Sequence, residues 1–309
     1  MEKINIAVIG ECMIELSGSG GALKQSFGGD TLNTAVYLAR RMKTHDAEIS
    51  YITGLGTDLF SDAMICAWQE EDIHTEHVVR MPSRLPGMYH IETDAAGERQ
   101  FHYWRAESAA RFWLDTEQGN AVCHKLQAFD VLYVSGISLA ILDPSSRNKL
   151  FQIFQTCRSR GGKIIFDNNF RPALWSSTFA ARQVYRQMLS CTDMAFLTLD
   201  DEALLWGNAS LAALQSRCQS AGIGEVVVKR GNNSCLVFTD GEMAEVPAVR
   251  LPASAVIDTT AAGDSFSAGY LAARLRGDTV TDSARQAHRL ASLVIQYPGA
   301  IVPLTAMPE

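Results

Sequence analysis

A regular alternation of short apolar runs with longer amphipathic segments is the feature that most restricts the fold of this chain. The run "INIAVIG" at 4–10 is continuously apolar, which is typical of a strand buried on both faces of a parallel sheet. The segment "TLNTAVYLARRM" at 31–42 places Leu38 and Met42 on one helical face. Further strands are predicted at 49–53, 130–136, 163–169, 194–199 and 225–230, and helices at about 59–71, 144–160, 178–190 and 209–221. This order predicts right-handed βαβ units, and hence an α/β fold with a mostly parallel central sheet and helices on both faces.

Chain length and charge narrow the class of protein. A chain of 309 residues can form one large α/β domain or two smaller ones. No internal repeat or Pro/Gly-rich linker marks a boundary, so we expect a single domain over 1–309. The formal net charge of −7 argues against nucleic acid as the main partner, because phosphate backbones are bound by basic surfaces.

The cysteines and the apolar runs predict a cytoplasmic protein. Seven cysteines are scattered without a CxxC pair, which is typical of reduced core thiols in the cytosol. The apolar run that ends at Glu11 is too short for the hydrophobic region of a signal peptide. Because no apolar run approaches membrane-spanning length, we expect no membrane partner.

One segment breaks the alternation of strands and helices. The stretch "MYHIETDAAGERQFHYWR" at 88–105 is expected to form two strands joined by a turn at 94–97. Alternation places Tyr103 and Arg105 on the same face of the second strand. An antiparallel hairpin inserted into a parallel fold can form a lid, and the alternative is an ordinary surface hairpin.

The late stretch "DTTAAGDSFSAG" at 258–269 combines tiny residues with one carboxylate. Ala261, Ala262 and Gly263 precede Asp264, and apolar residues recur at helical spacing from Ser265 onward. Backbone N–H groups at a helix start have no intrahelical partner, so a loop nearly free of side chains can bind an anion there. The alternative is that Asp264 only caps the helix.

A second polar stretch, "FGGDTLN" at 27–33, lies near the N-terminus. Gly28 and Gly29 would let the backbone approach a ligand closely. Asp30 and Asn33 offer an acceptor and a bifunctional amide, which suit neighbouring sugar hydroxyls. Alternatively, Asp30 caps the helix that begins at Thr31. The chain contains neither a GxxxxGK[ST] loop nor a GxGxxG dinucleotide fingerprint.

These two motifs, in this order, resemble those of the ribokinase-like (PfkB) carbohydrate kinases. An early glycine pair is followed by an Asn four residues later, and the late motif reads D-T-x-x-A-G-D-x-F-x-x-G. The resemblance extends over nearly the whole chain and implies a ribokinase-like fold with a small β-sheet lid, whose strands come roughly from 11–17 and 86–105. Within the family, the stretches most similar to kinases of 2-keto-3-deoxygluconate are "GECMIEL", "FGGDTLN", "RLPGMYHIE", "FHYWR", "DNNFRPALW" and "VIDTTAAGDSFSAGY".

The resemblance implies a catalytic role for the late motif. Asp264 would be the general base that takes the proton from the sugar hydroxyl as it attacks the γ-phosphate of ATP. Ala261, Ala262 and Gly263 would form the anion hole for the transferred phosphoryl group. Most of the family has GAGD, whereas this chain has Ala261 first. Since Ala tolerates positive φ poorly, the backbone there is expected either to be ordinary or to carry slight strain.

The resemblance also implies ATP and Mg²⁺ as cofactors. The family often has an N-x-x-E motif whose Glu acts mainly through metal-bound water. Here "LDDE" at 199–202 keeps Glu202 but has Leu199 in place of Asn, so Asp200 and Asp201 can share that role. The alternative is an acidic first helical turn favoured by the helix dipole. The nucleotide contacts that we expect are Asn169, Arg171, Lys229, Gly231, Ala261 and Gly263. The alternative for the stretch around Gly231 is an ordinary hairpin turn.

The implied substrate contacts come from the early glycine motif, from the lid hairpin and from the end of one strand. They are Gly28, Gly29, Asp30, Asn33, Tyr89, Tyr103, Arg105 and Arg171. An aldonic acid carries a carboxylate, which the Arg fork is best shaped to bind, so Arg105 and Arg171 are the candidates. Arg171 could instead face the ATP phosphates. The expected partners are therefore a small sugar acid and ATP, and the lid is a candidate surface for a homo-oligomer.

Three functions are compatible with these residues. The first is an ATP-dependent kinase that converts 2-keto-3-deoxygluconate to its 6-phosphate. The second is a fructokinase- or ribokinase-like enzyme for a neutral sugar, against which Arg105 argues. The third is a catalytically silent sugar- or nucleotide-binding regulator on the same fold. A pure binder has no need of a base, so Asp264 beside Gly263 argues against the third.

Overall fold

The computed structural model describes residues 3–18, 23–43, 45, 47–93, 99–208, 210–239 and 241–308. Its strands are β1 (Ile4–Ile9), β2 (Met13–Ser17), β3 (Lys24–Gly28), β4 (Ala47–Ile52), β5 (Gly54–Leu55), β6 (Ile73–His74), β7 (Val79–Arg80), β8 (Gly87–Thr93), β9 (Arg99–Trp104), β10 (Val131–Ser135), β11 (Lys163–Asp167), β12 (Met194–Thr198), β13 (Glu225–Lys229), β14 (Cys235–Thr239) and β15 (Glu242–Val246). Its helices are α1 (Asp30–Met42), α2 (Leu59–Glu70), α3 (Glu117–Leu126), α4 (Gly136–Ile141), α5 (Pro144–Ser159), α6 (Thr178–Cys191), α7 (Leu199–Trp206), α8 (Leu211–Ala221), α9 (Ala262–Leu275) and α10 (Val280–Val294).

A mostly parallel central sheet organises the molecule. Its strand order is β15-β14-β13-β12-β11-β10-β1-β4-β6, and the strands are parallel from β13 to β6. β14 and β15 extend one edge as antiparallel strands. In the middle, Ile6 of β1 lies opposite Val131 of β10 and Ile49 of β4. The predicted α/β class is confirmed.

Hydrophobic cores cover both faces of this sheet. Ile6 and Val8 of β1 pack into one core with side chains of α1, α9 and α10, whereas Ala7 and Ile9 pack into the other with side chains of α5 and α6. All positions of β1 from Ile6 to Val8 are 0% exposed. Burial on both faces explains why the strand sequence is continuously apolar rather than alternating.

A separate four-stranded sheet forms the predicted lid region. Its order is β3-β2-β8-β9, in which β2 is antiparallel to β3 and parallel to β8, and β8 is antiparallel to β9. Both strands predicted within 88–105 are present, while the predicted turn at 94–97 lies outside the described residues. The sequence analysis did not predict β3, whose residues "KQSFG" show no clean alternation.

Several helices match their sequence predictions closely. α1 ends at Met42 as predicted, α5 and α6 lie within two residues of the predicted bounds, and α8 begins at Leu211. The polar helices α3 and α10 and the short α4 were not predicted. Within the described residues, no helix combines the length and the apolar character needed to cross a membrane.

Candidate active site

The candidate site lies where the parallel strands of the central sheet end. Carboxyl ends of parallel strands share one edge of a sheet, which is where α/β folds place ligands. β1 leads to Glu11, β11 ends at Asp167 and β13 ends at Lys229. The N-terminal ends of α1 and α9 meet at the same edge, because Asn33 of α1 donates from Nδ2 to Asp264 Oδ2 of α9 at 2.8 Å.

Asp264 lies in the first turn of α9 and does not cap it. Ala261 occupies the N-cap position, and no side chain caps the helix. The backbone N–H of Ala262 bonds to Thr259 O, and that of Ser265 bonds to Ala261 O. The intervening N–H groups of Gly263 and Asp264 have no backbone partner among the described residues. The capping alternative is therefore wrong, and these N–H groups lie beside the carboxylate as an anion-binding loop would require, so the role of this anion-binding loop stays a prediction.

The backbone at Ala261 has the left-handed conformation. Its φ is 59° and its ψ is 13°. An L-residue with a Cβ carries strain of about 1–2 kcal/mol in this region. The sequence analysis expected either an ordinary or a slightly strained backbone at Ala261, and the strained backbone is confirmed.

The electrostatics around Asp264 suit a general base. Burial, followed by the negative charge of Asp30, raises the pKa of Asp264 to about 7. The hydrogen bond from Asn33 and the positive charge of Lys229 act in the opposite direction, since they stabilise the carboxylate. A carboxyl group with a pKa near neutrality can both accept a proton readily and be ionised at physiological pH.

Asp30 is tied to a loop on another strand. Asn169, two residues beyond the end of β11, donates from Nδ2 to Asp30 Oδ2 at 2.6 Å. Asn169 has a positive φ of 23°, an uncommon value for a residue with a side chain. Asp30 is the first residue of α1, whose N-cap Gly29 offers no side-chain cap. The structure thus brings together Asp30 and Asn169, which the sequence analysis assigned to different ligands.

Gly28 and Gly29 pack closely against the protein itself. A Cβ on Gly28 would lie 2.4 Å from the Tyr89 hydroxyl, and one on Gly29 would lie 2.2 Å from the Glu11 carbonyl oxygen. Gly29 has an extended φ of 168°, which any residue can adopt. These glycines therefore allow the close approach of the lid sheet and of the chain after β1, and their contact with a ligand stays a prediction. The sequence analysis expected the approach of a ligand.

Lys229 links the anion-binding loop to the central sheet. Its Nζ donates to Asp167 Oδ2 at 2.7 Å and to Ser267 Oγ at 3.3 Å. Ser267 also donates to Asp167 Oδ2 at 2.9 Å. A Cβ on Gly263 would lie 3.4 Å from Lys229 Nζ, so the ammonium group is adjacent to the loop. This arrangement fixes a positive charge beside the free N–H groups of α9.

A cleft of about 770 Å³ opens beside that loop. Predicted residues among its walls are Lys229, Gly231 and Gly263, together with Ala262. Its apolar lining includes Val249, Leu251, Val256, Phe266, Ala291 and Ile295. Gly231 has a φ of 60° in the turn between β13 and β14, so the hairpin-turn alternative is also correct for it. A polar, cationic end and an apolar end together match the phosphates and the base of a nucleotide.

His288 of α10 lines this cleft and was missed by the sequence analysis. Its Nε2 lies 3.2 Å from the Val246 carbonyl oxygen, which can only accept a hydrogen bond. Nε2 must therefore carry the proton, which leaves Nδ1 as an acceptor in the neutral ring. Burial lowers the pKa of His288, which favours that neutral form. No local motif distinguishes this residue in the sequence.

The lid sheet places its polar side chains against two glutamates that the sequence analysis also missed. Tyr89 donates its hydroxyl to Glu15, and burial followed by the charge of Glu15 raises the pKa of Tyr89. Arg105 donates from Nη2 to Glu11. Tyr103 is 53% exposed and its ring lies 5.8 Å from that of Tyr89, centroid to centroid. The predicted lid residues are therefore neighbours, but two of them are already paired with carboxylates.

Arg171 lies at the rim of the site. Its side chain is 52% exposed, donates to its neighbour Phe170 O at 3.0 Å, and approaches Asp201 Oδ1 to 3.6 Å. Burial raises the pKa of Asp201, and the charge of Arg171 opposes that shift. Arg171 is consequently held more loosely than Arg105, whose side chain is 10% exposed.

Glu202 is buried in a structural network. Arg217 donates to its Oε2 at 2.6 Å and Asn168 donates to its Oε1 at 3.2 Å, so both carboxylate oxygens are occupied. Asp200, in contrast, is exposed. Across the part of the chain that the structure describes, no group of three or more His, Cys, Asp or Glu side chains could hold a metal ion by itself. The metal role of Glu202 stays a prediction.

Comparison with known proteins agrees with this geometry. The model of the pfkB family carbohydrate kinases matches residues 3–307. The chain is 59% identical over 304 residues to the 2-dehydro-3-deoxygluconokinase of Escherichia coli (strain K12), with 98% of each chain covered. It is 54% identical over 309 residues to the protein of the same name from Dickeya dadantii (strain 3937), with 100% of each covered.

A solved structure shares the fold at lower identity. The fructokinase of Vibrio cholerae O395, in its fructose-, ADP- and calcium-bound form, has a TM-score of 0.82 and 23% identity, covering 97% of this chain and 96% of that one. Its likeness shows the ribokinase-like architecture of a central sheet with a small second sheet. The full-length family match and the two relatives above half identity lead to one conclusion: the chain belongs to the pfkB family of carbohydrate kinases.

Proposed function

We propose that this protein is an ATP-dependent kinase of 2-dehydro-3-deoxygluconate, also called 2-keto-3-deoxygluconate, and that it forms the 6-phosphate. The relatives that carry the name 2-dehydro-3-deoxygluconokinase support the substrate, because they match over the whole chain at 54–59% identity. The observation that carries the reaction type is Asp264. Its pKa of about 7 and its place beside a bare anion-binding loop suit a base for phosphoryl transfer.

The proposed reaction proceeds in one displacement. The C6 hydroxyl oxygen of the sugar attacks the γ-phosphorus of ATP, Asp264 accepts the hydroxyl proton, and ADP leaves with the electrons of the broken P–O bond. The N–H groups of Gly263 and Asp264 and the ammonium of Lys229 would stabilise the negative charge that develops on the transferred group. Asp264 would then release its proton to solvent when the product departs.

The nucleotide is assigned to the cleft of about 770 Å³. Its apolar walls suit the adenine ring, and Lys229 suits the phosphates, for which Asn169, Arg171 and Gly231 stay predicted contacts. Mg²⁺ would offset the phosphate charge. Asp201, in the first turn of α7, is a carboxylate of the kind that can hold the water shell of this ion, whereas Asp167 at the end of β11 is already paired with Lys229. The pairing of Glu202 with Arg217 makes that residue the weaker candidate.

The sugar is assigned to the space between the lid sheet and the start of α1. Asp30, Asn33, Tyr89 and Tyr103 would bind its hydroxyl groups, and Arg105 would bind its carboxylate. Support comes from the pairing of Asn33 with Asp264, which places a predicted sugar contact beside the predicted base. Gly28 and Gly29 would act by allowing the lid to approach.

A second candidate is a kinase for a neutral keto-sugar. The observation that favours it is the ion pair between Arg105 and Glu11, which offsets the charge that would attract an acid. A coupled assay of ADP release with 2-keto-3-deoxygluconate, fructose and ribose, each at several concentrations, decides between the two. A kcat/KM for the sugar acid at least tenfold above the others supports the first function, and preference for fructose overturns it.

Two further properties belong to this proposal. Tyr103 and Trp104 expose more than half of their surface on the lid, which supports a homo-oligomer formed through it. Light scattering of Trp104→Lys against the wild type tests this assignment, which fails if the mass is the same. A cytoplasmic location and the absence of nucleic-acid partners also stay predictions.

A further inference from the structure

Glu11 is a buried carboxylate at the junction of the central sheet and the lid. It follows β1, two residues before the first lid strand, β2. Its side chain is 1% exposed, and that of its partner Arg105, at the end of β9, is 10% exposed. An ion pair removed from water to this degree is favourable only if its geometry is good and further hydrogen bonds satisfy the remaining atoms.

Both oxygens of Glu11 have partners in the segment that follows the last lid strand, β9. Oε2 accepts from Arg105 Nη2, and Oε1 accepts from the hydroxyl of Ser108. Ser108 is 3% exposed, so the whole cluster is shielded from solvent. Arg105 Nε, in contrast, is buried without a hydrogen-bond partner among the described residues. The orientation of the Arg105 guanidinium therefore rests mainly on Glu11.

Glycines on two sides leave room for Glu11. A Cβ on Gly87, the first residue of β8, would lie 2.8 Å from Glu11 Oε1 and 3.2 Å from the Cβ of Arg105. A Cβ on Gly29 would meet the Glu11 carbonyl oxygen at 2.2 Å. Glu11 thus contacts the glycine stretch before α1 through its backbone and the lid through its side chain. A change in the length of the Glu11 side chain would therefore alter the contacts on both sides of the space assigned to the sugar.

We propose that Glu11 is a positioning residue that sets substrate specificity by fixing the Arg105 fork toward the sugar carboxylate. This inference rests on the proposed function. An arginine side chain has several rotatable bonds, so a fork that is held before binding loses less entropy when the substrate arrives. The role requires the reach of Glu11 at least as much as its charge, because the fork must be held at a fixed point.

Two substitutions separate reach from charge. Glu11→Asp keeps the charge but shortens the side chain by one methylene, and Glu11→Gln keeps the reach but removes the charge. We expect Glu11→Asp to raise KM for 2-keto-3-deoxygluconate by about tenfold to a hundredfold, the range for loss of a charge-assisted hydrogen bond in the complex. Glu11→Gln should raise it by less than about tenfold, because its amide oxygen can still accept from Arg105. KM for fructose and the affinity for ADP should change less than threefold in both variants.

A matched control and a double-mutant cycle complete the test. Glu107→Gln removes another carboxylate paired with an arginine, Arg84, but one that is 80% exposed, and it should leave all constants unchanged. In an Arg105→Met background, Glu11→Asp should have no further effect on KM for the acid, because Glu11 acts through Arg105. Full additivity of the two changes overturns the proposal. So does a loss of the same size for acid and neutral sugar, which indicates a structural role only.

Failure of this inference is distinguishable from failure of the proposed function. If the wild type turns over fructose but not the sugar acid, the proposed function fails before any variant is measured. If the wild type uses the acid and Glu11→Asp behaves like Glu107→Gln, the inference alone fails. Thermal unfolding of each variant shows whether it folds. Should Glu11→Asp not fold, Glu11→Gln takes its place in the cycle: its smaller effect on KM for the acid should vanish in the Arg105→Met background, and an undiminished effect there overturns the proposal.

Discussion

The pKa of Asp264 provides the sharpest test of the proposed chemistry. A base must be ionised, so kcat/KM of the wild type should fall about tenfold per pH unit below the pKa of about 7. The charge of Asp30 is the largest cause of that raised pKa after burial. Asp30→Asn removes this charge, which should lower the pKa of Asp264 and move the acid limb of the profile to lower pH.

The size of the pKa shift in Asp30→Asn can be worked from the repulsion between the two carboxylates. Asp30 and Asn33 are three residues apart on α1, so their Cβ atoms lie about 5–6 Å apart, and Asn33 bonds directly to Asp264. If a separation of roughly 7 Å is taken for two carboxylates on either side of Asn33, their repulsion is about 1–2 kcal/mol at an effective dielectric constant of about 20–40. This energy corresponds to a shift of about one pH unit, which would place the limb near pH 6.

The assay is the pH dependence of ADP release between about pH 5 and 9, with the sugar kept well below KM. The absolute rate of Asp30→Asn will fall because a predicted sugar contact is lost, but the position of the limb is independent of that loss. Glu107→Gln, which removes an exposed carboxylate with no predicted role in the site, is the control and should leave the limb unmoved. A wild-type limb near pH 4, or an Asp30→Asn limb at the wild-type position, would refute the assignment of Asp264 as the base.

Three further variants test the same site. Asp264→Asn should lower kcat by at least about a hundredfold while ADP affinity, measured by calorimetry, is retained. The pKa of this carboxyl group is higher in the folded than in the unfolded protein, so its ionisation destabilises the fold as pH rises from 3.8 to about 7, by roughly 4 kcal/mol at most. Asp264→Asn lacks this ionisation and should therefore unfold at a higher temperature than the wild type at pH 8. The difference in unfolding temperature should shrink toward pH 5. Ala261→Gly should raise the free energy of unfolding in urea by about 1 kcal/mol, because glycine adopts a φ of 59° without strain, and no gain would mean that the loop relaxes. Arg105→Met should lower kcat/KM for the sugar acid by about 10- to 100-fold with nucleotide affinity unchanged, whereas a loss confined to Arg171→Met would move the carboxylate site to the end of β11.

Local sequence patterns predicted the frame of the molecule well. Strands buried on both faces have continuous apolar sequences, and the amphipathic face of α1 is equally plain, so both were predicted close to their observed bounds. β3 was missed because a short strand of mixed polarity has no period that distinguishes it from a loop. The ten-residue polar helix α3 and the edge strand β15 carry similarly weak local signals.

The candidate site was predictable only in part. Asp264 lies in a compact motif, and a motif can be recognised from adjacent residues. Other residues of the site can be recognised only from partners far away in the chain, as with Glu11, Glu15 and His288. Glu11 pairs with Arg105, and His288 bonds to Val246. For the same reason, the sequence could not show that Glu202 is paired with Arg217. Single residues whose role depends on long-range pairing have no local signature.

The hydrogen bond between Asn33 and Asp264 has a consequence for how the chain folds during its synthesis. Its two ends are 231 residues apart, and Tyr37 of the same helix bonds to Ala300, 263 residues away. During synthesis, α1 leaves the ribosome long before α9 and α10 exist to cover its apolar face. The nascent chain therefore carries an uncovered hydrophobic surface and an unfinished active site until its last quarter is made. Ribosome-bound chains that end before Asp264 should need chaperones and should be unable to protect α1 against proteolysis.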